Sequence, residues 1–360
     1  MKNTIFISFS LAESSVSDYF LLLVHRLNRE YQVVIFSDVK KSESIALSND
    51  VIVKYWPSVR PTKLADGIFL CQNIKKYKPI LTVSIFGSVN IFLIVGFFCG
   101  VNKRVAWIRT LSSQFPQKKL LILRKSLVYK LSTNLISNSL ATKDDVVEKF
   151  GVPESKIKVL PNSVSDAYER IILEKSKHNT ITYVGRLHHS KGVDILIRAF
   201  SLIHTQFPDF KLVLVGNGEQ KNNIVNLVKE LRLENHVEFK GNLSKNKVLE
   251  VFKNTYLAVI PSRSEAFGYT VIEAMSMKTL VVGADNTGIA EIIKDLKTGM
   301  LFRTGSSIDL AQRIIKAIDE PLLRDKLAIE GYKHFIHNYE LKKAIERDYS
   351  YFKSLINTNE

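Results

Sequence analysis

Short apolar runs rich in Val and Ile alternate along the chain with segments whose apolar residues recur at helical spacing. This alternation predicts parallel sheets whose strands are joined by right-handed helical crossovers. The predicted strands are residues 5–9, 33–36, 51–55, 80–86, 104–108, 135–137, 157–160, 181–185, 212–216, 237–239, 257–261 and 280–283. The helical patterns are clearest in residues 16–27, 193–203, 224–231, 308–318 and 339–356.

One break in this alternation divides the chain. The turn at Pro161, Asn162 and Ser163 is followed by a polar, charged stretch without a strand pattern until residue 180. We therefore expect an α/β protein of two Rossmann-like domains, residues 1–165 and 180–335, joined by a linker at 166–179. A helix within residues 336–360 is expected to return to the first domain.

Residues 80–101 contain no charged side chain and are long enough to span a bilayer. Polar residues interrupt the first half of the segment, and no second span accompanies it. Both faces of a parallel sheet are covered, so its strands are continuously apolar. The alternative that we favour is therefore a buried strand at 80–86 followed by a helix at 88–98.

The composition places the chain among globular proteins and gives it a large positive charge. Of its 360 residues, 46% are hydrophobic and 24% charged, and its two cysteines exclude a disulfide scaffold and a four-cysteine zinc site. The net charge of +16 points to a polyanionic partner. Nucleic acid is one such partner, but no nucleic-acid recognition motif is present, so we expect none to bind.

The charge is concentrated in the first part of the chain. Residues 1–150 contain 21 basic and 10 acidic residues (+11), and residues 151–360 contain 30 and 25 (+5). Within residues 115–133, a helical projection places Lys118, Lys119, Lys125 and Lys130 on one side and most leucines on the other. This pattern fits either a core helix with a solvated lysine side or a cationic surface for anionic lipid headgroups.

Candidate chemistry lies where predicted strands of the second half end, because doubly wound sheets bind ligands at the carboxyl ends of their strands. Gly185 closes one strand, and Arg186 and Lys191 follow in a short loop. Two cations beside a helix start can hold a diphosphate, although cations in surface loops are often merely solvated. After the next strand, Gly216 begins a segment without the dinucleotide spacing of glycines, which fits close backbone approach or an ordinary turn.

The segment 261–275 carries more of this chemistry. Gly268 permits close approach of a ligand, and the helix expected from Tyr269 offers free N–H groups to a phosphate. Glu273 lies about 7 Å along that helix, at ~1.5 Å per residue, which suits a carboxylate that holds ribose hydroxyls. Glu265 precedes the helix, where a sugar beyond the phosphates would lie. Alternatively, both carboxylates are surface groups, but their apolar neighbours suggest partial burial.

These segments together resemble the retaining glycosyltransferases of the GT-B fold, family 4 (glycosyl transferases group 1). The resemblance covers residues 157–305 and is carried by motifs in the family's order. They are P-N-[GS]-V at 161–164, G-R-x-x-x-x-K-G at 185–192, V-G-x-G at 215–218, P-S-x-x-E-x-F-G-x-x-x-x-E-A-M at 261–275, D-N-T-G-I-A-E at 285–291 and T-G-M-L-F at 298–302.

The resemblance implies two domains facing across a cleft and metal-independent sugar transfer, with retention, from a UDP- or GDP-sugar that is a co-substrate and not a bound cofactor. Arg186 and Lys191 would neutralise the departing diphosphate, and Glu265 would contact the transferred sugar. The implied donor-binding residues are Gly185, Gly216, Asn242, Leu243, Gly268, Tyr269, Thr270 and Glu273.

The first half departs from the family pattern, since it lacks the glycine pair after the first strand and the histidine after a middle strand. Ser14, Ser15 and Arg109 are acceptor-side candidates by position only. Together with the basic first half, the resemblance leads us to expect a lipid-linked saccharide acceptor. The expected location is peripheral, at the cytoplasmic face of a bacterial membrane, in cell-surface polysaccharide biosynthesis. The alternative is a GT-B protein that binds nucleotide sugar without catalysis.

Overall fold

The computed structural model describes residues 2–12, 14–38, 47, 50–59, 61–115, 118–171 and 179–358. The chain forms two compact units: unit 1 comprises Met1–Asn162 with Leu341–Glu360, and unit 2 comprises Ser163–Glu340. The expected linker began at residue 166, whereas Ala167 is buried in the core of unit 2 and Ile171 packs against it. Most of the remaining linker lies outside the described residues.

Unit 1 contains one seven-stranded parallel sheet in the order β3-β2-β1-β4-β5-β6-β7. Its strands are β1 (Thr4–Ser8), β2 (Gln32–Ser37), β3 (Ile52–Tyr55), β4 (Leu81–Ile85), β5 (Lys103–Ile108), β6 (Asn134–Ser137) and β7 (Ile157–Val159). Its first helices are α1 (Ser15–Asn28), α2 (Leu64–Tyr77), α3 (Val89–Phe98), α4 (Lys119–Lys130) and α5 (Leu140–Phe150).

The uncharged segment 80–101 is a core element, as expected. It forms the buried strand β4, one turn of 3₁₀ helix and then α3, whose inner side contributes to the apolar cores beneath α2 and α4. Among the described residues, no helix is both long and apolar enough to cross a bilayer.

Unit 2 contains a six-stranded parallel sheet in the order β10-β9-β8-β11-β12-β13. Its strands are β8 (Thr180–Val184), β9 (Lys211–Val215), β10 (Val237–Gly241), β11 (Leu257–Ile260), β12 (Leu280–Asp285) and β13 (Met300–Arg303). Its helices are α6 (Val193–Ile203), α7 (Lys221–Glu230), α8 (Lys245–Asn254), α9 (Tyr269–Ser276), α10 (Thr287–Ile292), α11 (Ser307–Asp319) and α12 (Pro321–Asn338).

All twelve predicted strands are confirmed, with their ends within two residues of the prediction. One strand was not predicted: β13, a short edge strand that pairs only with β12 among the described strands. The prediction of two parallel sheets is therefore confirmed, each with its own hydrophobic core.

The last helix, α13 (Leu341–Asn357), belongs to unit 1 although it directly follows unit 2 along the chain. It packs beside α1, and its Phe352 contributes to the same core as Trp107. The buried carboxyl of Asp348 accepts a hydrogen bond from the phenol of Tyr19. Burial raises the pKa of both groups. Unit 1 is therefore completed by the carboxyl-terminal residues.

Replacing Phe352 by Ala is expected to destabilise unit 1 by about 3–5 kcal/mol, because it opens a cavity in a closed core. Phe352 is 0% exposed, whereas Phe98, in the same unit, is 80% exposed. Both tryptophans of the chain, Trp56 and Trp107, are buried in unit 1, so tryptophan fluorescence during urea unfolding reports on this unit. Phe98→Ala is the control, and equal losses of stability in the two variants would contradict the assignment of α13 to this core.

Candidate functional site

The loops that follow neighbouring strands of unit 2 meet at the carboxyl edge of the sheet, in direct backbone contact. A Cβ atom on Gly216 would lie 1.9 Å from the carbonyl oxygen of Gly185, and one on Gly218 would lie 2.2 Å from that of Leu187. The backbone N–H of Leu187 donates to the carbonyl of Asn217 at 2.9 Å. The close approach at these glycines is therefore by a neighbouring loop.

The loop 186–192 is held from both sides. The phenol of Tyr183 donates to the carbonyl oxygen of Arg186 at 2.9 Å. Burial, and after it the negative charge of Glu265, raises the pKa of Tyr183, which keeps the phenol protonated as a donor. At the other end Gly192 adopts φ +63°, and a Cβ atom there would lie 2.0 Å from the carbonyl oxygen of Pro261. Only glycine fits this contact.

Lys191 and Glu265, which were predicted from separate motifs, contact each other. The Nζ atom of Lys191 lies 2.5 Å from Oε2 of Glu265, and their side chains are 21% and 15% exposed. The hydroxyl of Ser262 also faces this carboxylate oxygen, at 3.4 Å. A partly buried ammonium–carboxylate pair at a strand edge can exchange partners with a charged ligand.

A second ion pair, which was not predicted, joins the same loops. The Nη1 and Nη2 atoms of Arg263 donate to Oδ1 and Oδ2 of Asp194 at 2.8 and 2.7 Å, and Nη1 also donates to the carbonyl of His189 at 2.9 Å. Burial alone would raise the pKa of Asp194, but the hydrogen bonds and charge of Arg263 outweigh it and lower the pKa. The sequence features that could have indicated this pair are an acidic residue in the first turn of α6 and a basic residue after β11.

The segment from Glu265 to α9 has the predicted geometry. Gly268 has φ +106° and precedes the first helical residue, Tyr269. The backbone N–H of Gly288 donates to the carbonyl oxygen of Glu265 at 3.2 Å and fixes the loop before the helix. Glu273 lies on α9, half-buried. The start of α9 and the Glu265 carboxylate thus belong to one strand–loop–helix unit.

The remaining predicted donor-site residues differ in their exposure. Arg186 and Asn242 are exposed, whereas Thr270 is half-buried on the first turn of α9. Leu243 lines a cavity of about 650 Å³ beside α8, and neither Lys191 nor Glu265 is among its lining residues. Leu243 therefore faces a hollow that the Lys191–Glu265 pair does not line.

The three acceptor-side candidates of unit 1 have structural partners. The hydroxyl of Ser14 caps α1 by accepting from the backbone N–H of Ser17 at 3.1 Å, and Ser15 is the first residue of that helix. Arg109 is 8% exposed, and its guanidinium donates to the side-chain oxygen of Asn162. An N-cap bond and a buried guanidinium both stabilise the fold locally.

Comparison with known proteins relates this site to a family. Residues 164–334 match the family model described as glycosyl transferases group 1. An uncharacterized glycosyltransferase of Methanocaldococcus jannaschii is 25% identical over 321 residues, which cover 82% of this chain and 80% of that protein. A second uncharacterized glycosyltransferase of the same organism is 31% identical over 177 residues, 49% of this chain and 48% of its own length.

Solved structures agree with the architecture. The structure of Anabaena HepE in complex with UDP superposes with a TM-score of 0.81 and 17% identity, covering 98% of this chain and 100% of that one. WaaG, a glycosyltransferase involved in lipopolysaccharide biosynthesis, gives a TM-score of 0.74 at 16% identity, covering 96% and 98%. These likenesses show the GT-B fold, with two Rossmann-like domains.

Replacing Gly192 by Ala is expected to destabilise unit 2 by about 2 kcal/mol more than the same change at Gly305, because the backbone must move away from Pro261. Gly305 also has positive φ, at +86°, but nothing lies within 4 Å of its Cβ position. It therefore controls for backbone strain alone. Calorimetric unfolding of the two variants measures the difference, and equal shifts would rule out the loop contact as the cause.

Proposed function

Because residues 164–334 belong to the glycosyl transferases group 1 family, we propose that the protein transfers a sugar from a nucleotide-sugar donor to a saccharide acceptor with retention of anomeric configuration. The single observation that carries this proposal is the contact of Lys191 with Glu265 at the carboxyl edge of the sheet. It brings together a cation suited to a diphosphate and a carboxylate suited to sugar hydroxyls.

In the proposed reaction the bond between the sugar C1 and the diphosphate oxygen breaks, and its electron pair leaves with the diphosphate. The acceptor oxygen forms the new bond to C1 and gives its proton to the departing phosphate. Lys191 and the exposed Arg186 neutralise the charge that develops on the diphosphate, which is the part otherwise played by a divalent cation. We therefore propose that transfer needs no metal.

The donor is positioned by backbone and by one further carboxylate. The N–H groups of Tyr269 and Thr270 hold phosphate or sugar oxygens at the start of α9. Glu273, five residues after Gly268 on α9, accepts from the ribose hydroxyls. Glu265 releases part of its contact with Lys191 when the donor arrives and accepts from the hydroxyls of the transferred sugar. Gly185, Gly216 and residues 242–243 border the rest of the nucleotide.

We propose a lipid-linked saccharide as acceptor, with the protein acting at the cytoplasmic surface of a bacterial membrane. The positive charge of residues 1–150 and the likeness to WaaG, a protein involved in lipopolysaccharide biosynthesis, support this proposal. The second candidate function is the binding of a nucleotide sugar without its transfer. The departures of unit 1 from the family pattern are the observation that supports it.

Glu265→Gln is expected to lower kcat by at least about a hundredfold, because the neutral amide loses charge at the sugar. Lys191→Ala is expected to lower kcat/KM by at least about tenfold through weaker diphosphate binding. Release of nucleoside diphosphate in the presence of EDTA measures both. Glu234→Gln and Lys229→Ala, exposed residues outside the site, are the matched controls. Full turnover in Glu265→Gln or Lys191→Ala contradicts the assigned roles, and no turnover in wild type with nucleotide sugar still bound supports the second candidate.

The donor nucleotide follows from a thermal-shift panel of UDP-, GDP- and ADP-sugars. A ligand present at 100 times its dissociation constant stabilises its domain by ~2.7 kcal/mol. We expect a UDP- or GDP-sugar to raise the unfolding temperature of unit 2 and to do so less in Lys191→Ala. The HepE complex with UDP makes UDP the first choice. If no nucleotide sugar stabilises unit 2, the donor proposal is wrong.

A further inference from the structure

One helical layer of unit 1 presents apolar side chains on its outer surface. Helices α2, α3 and α4 lie side by side, with α3 in contact with both neighbours. All three helices expose large apolar side chains, namely Leu64, Ile68, Ile94, Phe97, Phe98, Leu120, Leu123 and Leu127. We call the outer surface of these three helices the apolar face. Exposed apolar side chains gathered on adjacent helices are typical of an interaction surface.

Three leucines of α4 are exposed together on one side of the helix. Leu120, Leu123 and Leu127 follow helical spacing along one side, and Leu120 is 80% exposed. The opposite side carries Val128 and Tyr129, which are buried in the core. The predicted separation of leucines from lysines is wrong for this helix: Leu120, Leu123 and Leu127 share the exposed side with Lys119, Arg124 and Lys130.

Lys125 is partly buried, unlike the other basic residues of α4, and its contacts explain the orientation of the helix. Its Nζ atom lies 3.5 Å from the centroid of the Phe115 ring and 5.9 Å from that of Phe150. Burial lowers the pKa of this lysine. Because the ammonium of Lys125 lies over the Phe115 ring, beside the core residue Phe150, this side of the helix faces inward and the leucine side faces out.

Most of the apolar face lies in a part of the sequence that contains basic residues and no acidic ones. Residues 67–143 contain twelve Lys and Arg and no Asp or Glu. Across α2, α3 and α4 the one carboxylate is Asp66, which is fully buried and accepts from the backbone N–H groups of Ser58 and Lys63 at 3.0 and 2.9 Å. The described part of these three helices therefore exposes basic and apolar groups and no carboxylate.

The opposite layer of unit 1 differs. There, α1 and α13 expose both signs of charge, and the charges are paired. Arg26 lies 2.8 Å from Glu346, and Lys353 lies 3.0 Å from Glu30. The absence of exposed acids from the apolar face is thus a local property and not a consequence of a lysine-rich chain.

We propose that the apolar face docks onto an anionic phospholipid bilayer, with its leucines and phenylalanines in the headgroup–acyl boundary and its lysines and arginines on the lipid phosphates. This division of a helical surface into apolar and basic groups is typical of proteins that lie on membranes. A second copy of the chain is disfavoured, because a twofold contact would set basic surface against basic surface. A polyanion such as nucleic acid would leave the leucines uncovered.

The inference rests on the proposed function for the nature of the acceptor, while the docking surface follows from unit 1 alone. Bound in this way, the protein would meet a lipid-linked acceptor within the plane of the membrane.

Sedimentation with vesicles of equimolar phosphatidylglycerol and phosphatidylcholine tests the proposal, with the full chain at low and at high salt. Wild type is expected to bind these mixed vesicles. Its binding to vesicles of pure phosphatidylcholine is expected to be at least about tenfold weaker. The combined change Leu120→Ser, Leu123→Ser and Leu127→Ser is expected to reduce binding at least about tenfold at either salt concentration. Lys119→Gln, Arg124→Gln and Lys130→Gln together are expected to remove most of the salt dependence.

The matched control is Leu202→Ser, Ile308→Ser and Leu322→Ser, three exposed apolar residues of unit 2. It is expected to bind as wild type does. Stabilisation by nucleotide sugar without lipid checks that unit 2 is folded in this control, and the fluorescence of the buried Trp56 and Trp107 checks that unit 1 is folded in the α4 variants. Absence of vesicle binding by wild type, or unchanged binding after the α4 leucine changes, overturns the docking proposal whether or not the donor binds. A dimer in solution that the leucine changes dissociate also overturns it, in favour of a second copy.

Discussion

The candidate site depends on one steric constraint: the backbone of Gly192 lies against the carbonyl oxygen of Pro261 with no room for a Cβ atom. This contact joins the loop after β8 to the loop after β11, which neighbour each other in the sheet. Arg263 then reinforces it by binding Asp194 and the carbonyl of His189. With the two loops fixed, the side chains of Lys191 and Glu265 meet although 74 residues separate them.

Much of this arrangement could be predicted from the sequence, for a physical reason. Parallel strands bring their carboxyl ends to one edge, so motifs after different strands converge once the strands are located. The strands were readily located because they are continuously apolar. That Lys191 bonds to Glu265 itself could not be predicted, since it depends on the distance between two loops, and neither could the Arg263–Asp194 pair.

Helix α4 shows where the pattern is insufficient. A helical projection assigns the apolar side to the core by default, but the neighbours of a helix decide which side is covered. Here the ammonium of Lys125 lies near the rings of Phe115 and Phe150, and Val128 and Tyr129 are buried in the core. Three leucines of α4 are therefore exposed. The short edge strand β13 was not predicted for a related reason. It is defined by its pairing with β12, and four residues are too few to show a strand pattern on their own.

The placement of α13 in unit 1 has a consequence for the order of folding during synthesis. Residues 163–340 emerge from the ribosome as one contiguous segment and make up the whole of unit 2. Unit 1, although it is translated first, lacks Phe352 and the Asp348 partner of Tyr19 until the final helix has been made. Until then α1 covers that side of the amino-terminal sheet without α13, and a ribosome that stalls late in the message releases a complete unit 2 attached to an incomplete unit 1.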